Sequence, residues 1–219
     1  MEGPTALDRE VVVDAACRIV ERVGAKALTM RMLADELGAS TMAAYRHVPS
    51  KEALLVLVAD RVLGRVTVPP PSAGTWELRL RVLERAAFAE LSKVPDLMEC
   101  VSDDAIYPSR ERLINAVVEI LTEAGFPPRA AALAHEMFFG YVLGQLKMRG
   151  QIEARRARRS RRSRSRADAT VVLLGSVIVD GREQVIDFDE YFDFGLRILL
   201  SGLRQELEGA AEVSPDAFG

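Results

Sequence analysis

The sequence is poor in cysteine, histidine and aromatic residues. Cys17 and Cys100 are its only cysteines, too few for a disulfide framework, and no CxxC pair points to a metal site. His47 and His135 are the only histidines, which argues against sites that need several imidazoles. No Ser/His/Asp set and no glycine-rich phosphate cradle is visible, so neither catalysis nor a cofactor is expected. Aromatics make up 6% of the chain, and the core must therefore rest on Leu, Val, Ala and Met. No apolar run approaches the ~20 residues of a membrane span. The opening MEGPTALDRE lacks a basic segment leading into an apolar one, so no secretory signal is expected and a cytoplasmic protein is the plain reading.

The chain has 219 residues, enough for one large domain or two modest ones. Its formal charge of −3 argues against nucleic-acid binding as a single number, but the total hides a segregation. Residues 1–66 are neutral overall, residues 149–166 carry +8, and the remainder carries −11.

Apolar residues recur at helical spacing over residues 8–23, with Asp8 as N-cap and Gly24 as stop. Thr29 caps a short helix to Leu37, and Gly38 ends it. A third helix runs from near Thr41 to about His47, and Ser50 caps a fourth to about Arg65. The stretch TVPPPSAGT, residues 67–75, reads as a domain boundary, because consecutive prolines cannot continue a helix. Further helices are expected over 76–93, 96–101, 109–125 (capped by Ser109), 129–148 and 189–207, the last with Asp187 and Glu190 spaced as a capping box. Residues 170–186 contain β-branched runs around Asp180-Gly181, which fits either a short hairpin or an irregular loop.

Two short helices joined by a glycine turn and packed on a longer first helix describe a helix-turn-helix. Ala34 is small where the helices approach, Gly38 supplies the turn, and Leu33, Leu37, Ala44 and Val48 face the small core. The segment resembles the TetR family of transcriptional regulators. The residues carrying the resemblance are Leu28-Thr29, Leu33-Ala34, Leu37-Gly38, Tyr45-x-His47 and Ser50-Lys51-x-x-Leu54, and the match is sharp over roughly residues 8–62. The resemblance implies an all-α fold. A three-helix DNA-binding head (1–66) would be joined to a larger helical effector-binding and dimerisation body (67–219), with an Arg-rich disordered insert at about 150–169.

Carried over by position, Arg31 reaches a guanine edge, which arginine can bond bidentately. Thr41, Met42 and Ala43 open the recognition helix against base edges, with Arg46 as a further base or phosphate contact. Tyr45, His47 and Lys51 take phosphates, and the Thr29 and Ser40 hydroxyls add to them. The body would bind a small-molecule effector, with Phe88, Met98, Tyr107, Phe126, His135, Met137, Phe139 and Tyr141 as pocket candidates. It would form a homodimer through Ala134, Phe138, Tyr141, Gly144, Phe192, Gly195, Leu199 and Leu203. Tetracycline–magnesium binding in the family uses a histidine just after the fourth helix. This chain reads Gly64-Arg65-Val66-Thr67 there, which argues against that chemistry.

The expected function is that of a ligand-responsive repressor that grips a palindromic double-stranded operator as a homodimer and is released by its effector. Two alternatives stand beside it: a small-molecule carrier or enzyme with a helical head, and a nucleic-acid binder acting through the run ARRARRSRRSRSR at 154–166. For that run a solvated, disordered loop is the favoured reading.

Overall fold

The computed structural model describes residues 7–94, 96–102, 105–162, 176–179, 182–185 and 187–212, of which the side chains of 153–162, 176–179, 182–185 and 210–212 are not described. The described residues are helical except for one short strand pair. They form two compact units that interleave along the chain. One comprises residues up to Val68 together with Ala86–Ala116. The other comprises Pro69–Arg85 and residues from Val117 onward. The head expected at 1–66 thus includes a second, later segment, because tertiary contacts and not the proline loop alone define the unit.

In the first unit, α1 (Arg9–Val23) packs on α2 (Met30–Leu37) and α4 (Lys51–Gly64), and α2 packs on α3 (Thr41–Tyr45). Each helix starts where a short polar side chain takes an otherwise unbonded N–H. Val11 N–H donates to Asp8 Oδ1 at 2.8 Å, Met32 to Thr29 Oγ1 at 3.2 Å, Ala43 to Ser40 Oγ at 3.2 Å, and Ala53 to Ser50 Oγ at 3.1 Å. Gly38 adopts φ +60°, the left-handed conformation that turns the chain from α2 into α3. Val12, Ala15, Ala16, Ile19, Leu28, Leu33, Ala44 and Leu54 are fully enclosed, and burying each large side chain contributes roughly 1.5–3 kcal/mol.

The helix α5 (Trp76–Ser92) contributes to both units, as does α6 (Pro108–Glu123). Asp96–Val101, expected to be a helix, forms a series of turns instead, in which Leu97 N–H donates to the Val94 carbonyl and Cys100 N–H to that of Leu97. Nor does Ser109 cap α6. Its own N–H is taken by Asp60 Oδ1 of α4 at 2.8 Å, so the cap comes from a distant part of the chain.

In the second unit, α7 (Pro128–Arg162) packs on α8 (Phe188–Glu212). The Tyr141 ring lies 5.4 Å from that of Phe192, and Tyr141 Oη donates to the Phe192 carbonyl at 2.9 Å. Trp76 meets Phe126 edge-on at 5.5 Å, and Arg79, almost wholly buried, pairs with Glu123 at 2.6 Å. The helix α7 runs well past Met148, so the expectation of disorder over about 150–169 is corrected for 150–162, while 163–169 lie outside the described residues. Arg and Ala are among the strongest helix formers, and like charges one turn apart cost only ~0.2–0.5 kcal/mol per pair. The hairpin reading of 170–186 gains support from β1 (Ser176–Val179) and β2 (Arg182–Val185), which pair antiparallel with Ser176 opposite Val185.

Candidate nucleic-acid interface

The ten residues expected to contact DNA lie around the starts of α2 and α4 and on α3, all within the first unit. Helix α3 is anchored by fully buried Ala44, which fixes what its other residues present. Met42 is 70% exposed and Tyr45 is 45% exposed, an unusual cost for two large side chains on a five-residue helix. Thr41, Arg46 and Arg31 are exposed, and Ala43 and His47 are half-buried. The Thr29 and Ser40 oxygens accept cap bonds, which leaves each hydroxyl proton as a donor.

Ion pairing shows how residues 1–66, neutral overall, can still carry a cationic motif. Glu36 takes both Arg18 and Arg22, at 3.2 and 3.1 Å, and those guanidiniums hold its carboxyl below the usual range. Arg61 pairs with Glu10 and Asp14, Arg65 with Glu21 at 2.8 Å, and Lys26 with Glu99 at 2.5 Å. Arg31, Arg46 and Lys51 pair with no described carboxylate. Of the nine cations of residues 1–66, Arg9 at the start of α1 is the one other without a described carboxylate partner, so from α2 to the start of α4 the positive charge outside ion pairs sits on the three cations that the sequence places against DNA.

No local pattern signals how Lys51 is held. Its Nζ donates to the Lys26 carbonyl at 3.0 Å. That turn is gripped in its own right by Asp96, whose two oxygens accept the N–H groups of Ala25 at 3.0 Å and Lys26 at 2.9 Å. Arg112 of α6 donates to the carbonyls of Leu63 and Val66, at 3.2 and 2.9 Å, where α4 ends. These bonds join residues 25 to 71 positions apart, beyond the reach of any local pattern.

The dimer residues divide. Phe138 and Phe192 are fully buried within one chain and Ala134 nearly so, which corrects their assignment to an interface between chains. Gly195 serves an internal contact, since a Cβ there would lie 2.3 Å from Tyr141 Oη. The Tyr141 hydroxyl, tied to that contact, is pushed up to about 12 by burial and by the nearby Tyr191 and Asp193. Leu199 and Leu203 are half-buried, and Gly144 is exposed. The apolar side chains presented outward are instead Leu133 and Met137 of α7 and Tyr191, Phe194 and Ile198 of α8.

Among the pocket candidates, Phe88, Met98 and Tyr107 belong to the first unit, and Phe126, His135, Met137, Phe139 and Tyr141 to the second. Met137 is 39% exposed and points outward, which removes it from an enclosed pocket. Phe126 is used against Trp76, and His135 stacks on Phe139 at 6.2 Å. A groove of about 630 Å3 in the second unit is lined by none of the eight. Among the described residues no helix is long and apolar enough to cross a membrane, and no group of three or more His, Cys, Asp or Glu residues is placed to hold a metal.

A capped helix-turn-helix with its free cations on one motif defines a DNA-binding regulator. The family model for bacterial regulatory proteins of the tetR family matches residues 12–58, and the tetracyclin repressor-like C-terminal domain matches residues 68–207. The HTH-type transcriptional repressor DrrR1 of Streptomyces coeruleorubidus is 34% identical over 210 residues, which covers 90% of this chain and 76% of the relative. Apo ActR from Streptomyces coelicolor superposes with TM-score 0.71 at 26% identity, over 98% of this chain and all of that one. BioQ with its double-stranded DNA operator shares the fold at TM-score 0.62 and 24% identity, over 90% of this chain and 98% of that one. The chain belongs to the TetR family of bacterial regulatory proteins.

Proposed function

We propose that the chain binds a palindromic operator as a homodimer through the ten head residues and leaves it when an effector occupies the second unit. The observation that carries this reading is that Arg31, Arg46 and Lys51, none paired with a described carboxylate, stand on the same motif as exposed Met42 and Tyr45. Arg31 and the first turn of α3 read bases, Met42 by apolar contact with a thymine methyl. Tyr45, His47 and Lys51 take phosphates, and the Thr29 and Ser40 hydroxyls donate to others. The protomers meet through Leu133, Met137, Tyr191, Phe194 and Ile198, with Gly140 and Gly144 on the same face of α7 as Leu133 and Met137 allowing close approach.

The effector acts by favouring a dimer whose two heads are wrongly spaced for successive major grooves, and it weakens DNA binding by its differential affinity for the two states. Arg112 and Asp60, which tie α6 to α4, supply a route from that change to the head.

The test is an operator shift assay at several salt concentrations. Lys51→Ala should weaken binding to all sequences alike and lower the salt slope by about one. Arg31→Ala should cost about 1–3 kcal/mol and relax the preference at one base pair per half-site. Unchanged affinity and salt dependence in both variants, and in Tyr45→Phe, would refute the assignment.

A further inference from the structure

The open groove of about 630 Å3 lies between the start of α5 and the C-terminal half of α8, and its lining combines apolar and cationic groups. Leu78 and Leu200 supply the apolar surface. Three arginines enter the same lining. Arg204 is already bound, its Nε donating to Glu77 at 2.8 Å. Burial alone would raise the Glu77 carboxyl, but hydrogen bonds from Thr75, from its own backbone and from Arg204 outweigh it and hold Glu77 below the usual range.

The other two arginines have no such partner. Arg81 is exposed and pairs with no described carboxylate. The Arg197 guanidinium stands 5.6 Å from the centre of the Phe194 ring, which orients it without neutralising it. Glu208 is the one acid of the lining not engaged by an arginine, so positive charge remains in excess. The volume falls within the ~300–1,000 Å3 of small-molecule sites.

We propose that this groove binds a small amphipathic anion, an aromatic carboxylate whose ring lies on Leu78 and Leu200 and whose carboxylate is held by Arg81 and Arg197. A planar guanidinium matches a carboxylate with two parallel N–H···O bonds, and the apolar floor discriminates against inorganic anions that lack a ring. The site involves neither the DNA-contacting head nor any residue of the expected effector pocket.

The test is calorimetric titration of the full-length protein without DNA, using naphthoate, neutral naphthamide and cationic naphthylmethylammonium as probes. Naphthoate should bind, with the amide and the ammonium about tenfold weaker or worse, and added salt should weaken the binding. The double variant Arg81→Gln/Arg197→Gln should lose about tenfold or more in naphthoate affinity while keeping its circular dichroism and melting temperature. Arg85→Gln, which breaks an ion pair with Asp193 outside the lining, should leave binding unchanged. Equal affinity for the amide, or full affinity in the double variant, would overturn the proposal. So would a probe-dependent change in sedimentation, which would assign the groove to a second copy of the chain.

Discussion

Replacing Asp96 by alanine removes two hydrogen bonds from the turn that follows α1. The Ala25 N–H lies on a residue with no solvent exposure, so without Asp96 Oδ1 it faces an unmet desolvation cost of about 1–3 kcal/mol. The Lys26 N–H is exposed and water can replace its partner, which adds only about 0.5–1 kcal/mol. Together these give a loss of about 1.5–4 kcal/mol, which for a protein of this size lowers the melting temperature by roughly 3–16 °C. Asp96→Asn retains one carbonyl oxygen and should fall between the two. The same turn presents the Lys26 carbonyl to Lys51, so operator affinity should also fall, by roughly fivefold at the low end of ordinary site coupling. Urea unfolding followed by circular dichroism checks the first number, and a shift assay well below the lowered melting temperature checks the second. An Asp96→Ala protein with unaltered unfolding midpoint would show that the turn amides do not depend on this carboxylate. Lost stability with unaltered DNA affinity would break the proposed link from the turn to Lys51.

Glu84 is buried in the second unit, and that burial pushes its carboxyl up to about 7. The unfolded state ionises from about 4.5 while the folded state still holds the proton, so stability falls between about pH 4.5 and 7. At roughly 1.4 kcal/mol per pKa unit the loss reaches about 3.5 kcal/mol. Glu84→Gln should remove that part of the pH dependence, and identical pH–stability curves for the two proteins would refute the cause. Gly195→Ala drives a methyl into the Tyr141 ring and should cost about 1–3 kcal/mol in urea unfolding, relieved when Tyr141→Ala is added. Phe194→Asp with Ile198→Asp should convert a dimer to a folded monomer in sedimentation experiments, with operator affinity collapsing in parallel.

The head was readable because its signals are local. Asp8, Thr29, Ser40 and Ser50 each cap the helix that follows within three residues, and Gly38 supplies a backbone conformation that few other residues adopt. The body was less readable for reasons visible in α7. Periodicity finds an apolar face, but it does not say which chain covers that face. Ala134, Phe138, Val142 and Leu146 turn inward, whereas Leu133 and Met137 turn outward, and all are apolar. The length of α7 is hard to read in the sequence, because dense positive charge points to disorder while the same Arg and Ala residues favour helix. Asp60, Asp96 and Arg112 carried no local signal at all, since each acts on a backbone group dozens of residues away.

A net charge of −3 does not by itself decide whether a chain can meet DNA; the placement of its ion pairs does. Each exposed pair here contributes little stability, about 0–1 kcal/mol, so stability alone explains the pattern poorly. The carboxylates Glu10, Asp14, Glu21 and Glu36 engage arginines of α1 and α4, and Glu99 engages Lys26 of the adjoining turn. None engages a cation of α2, of α3 or of the segment between α3 and α4. That placement suppresses the positive charge along most of α1 and α4 and leaves it standing at Arg31, Arg46 and Lys51, with Arg9 at the start of α1. Residues 1–66, neutral overall, thereby present one cationic face, and weak, sequence-independent attachment through their other surfaces is kept low.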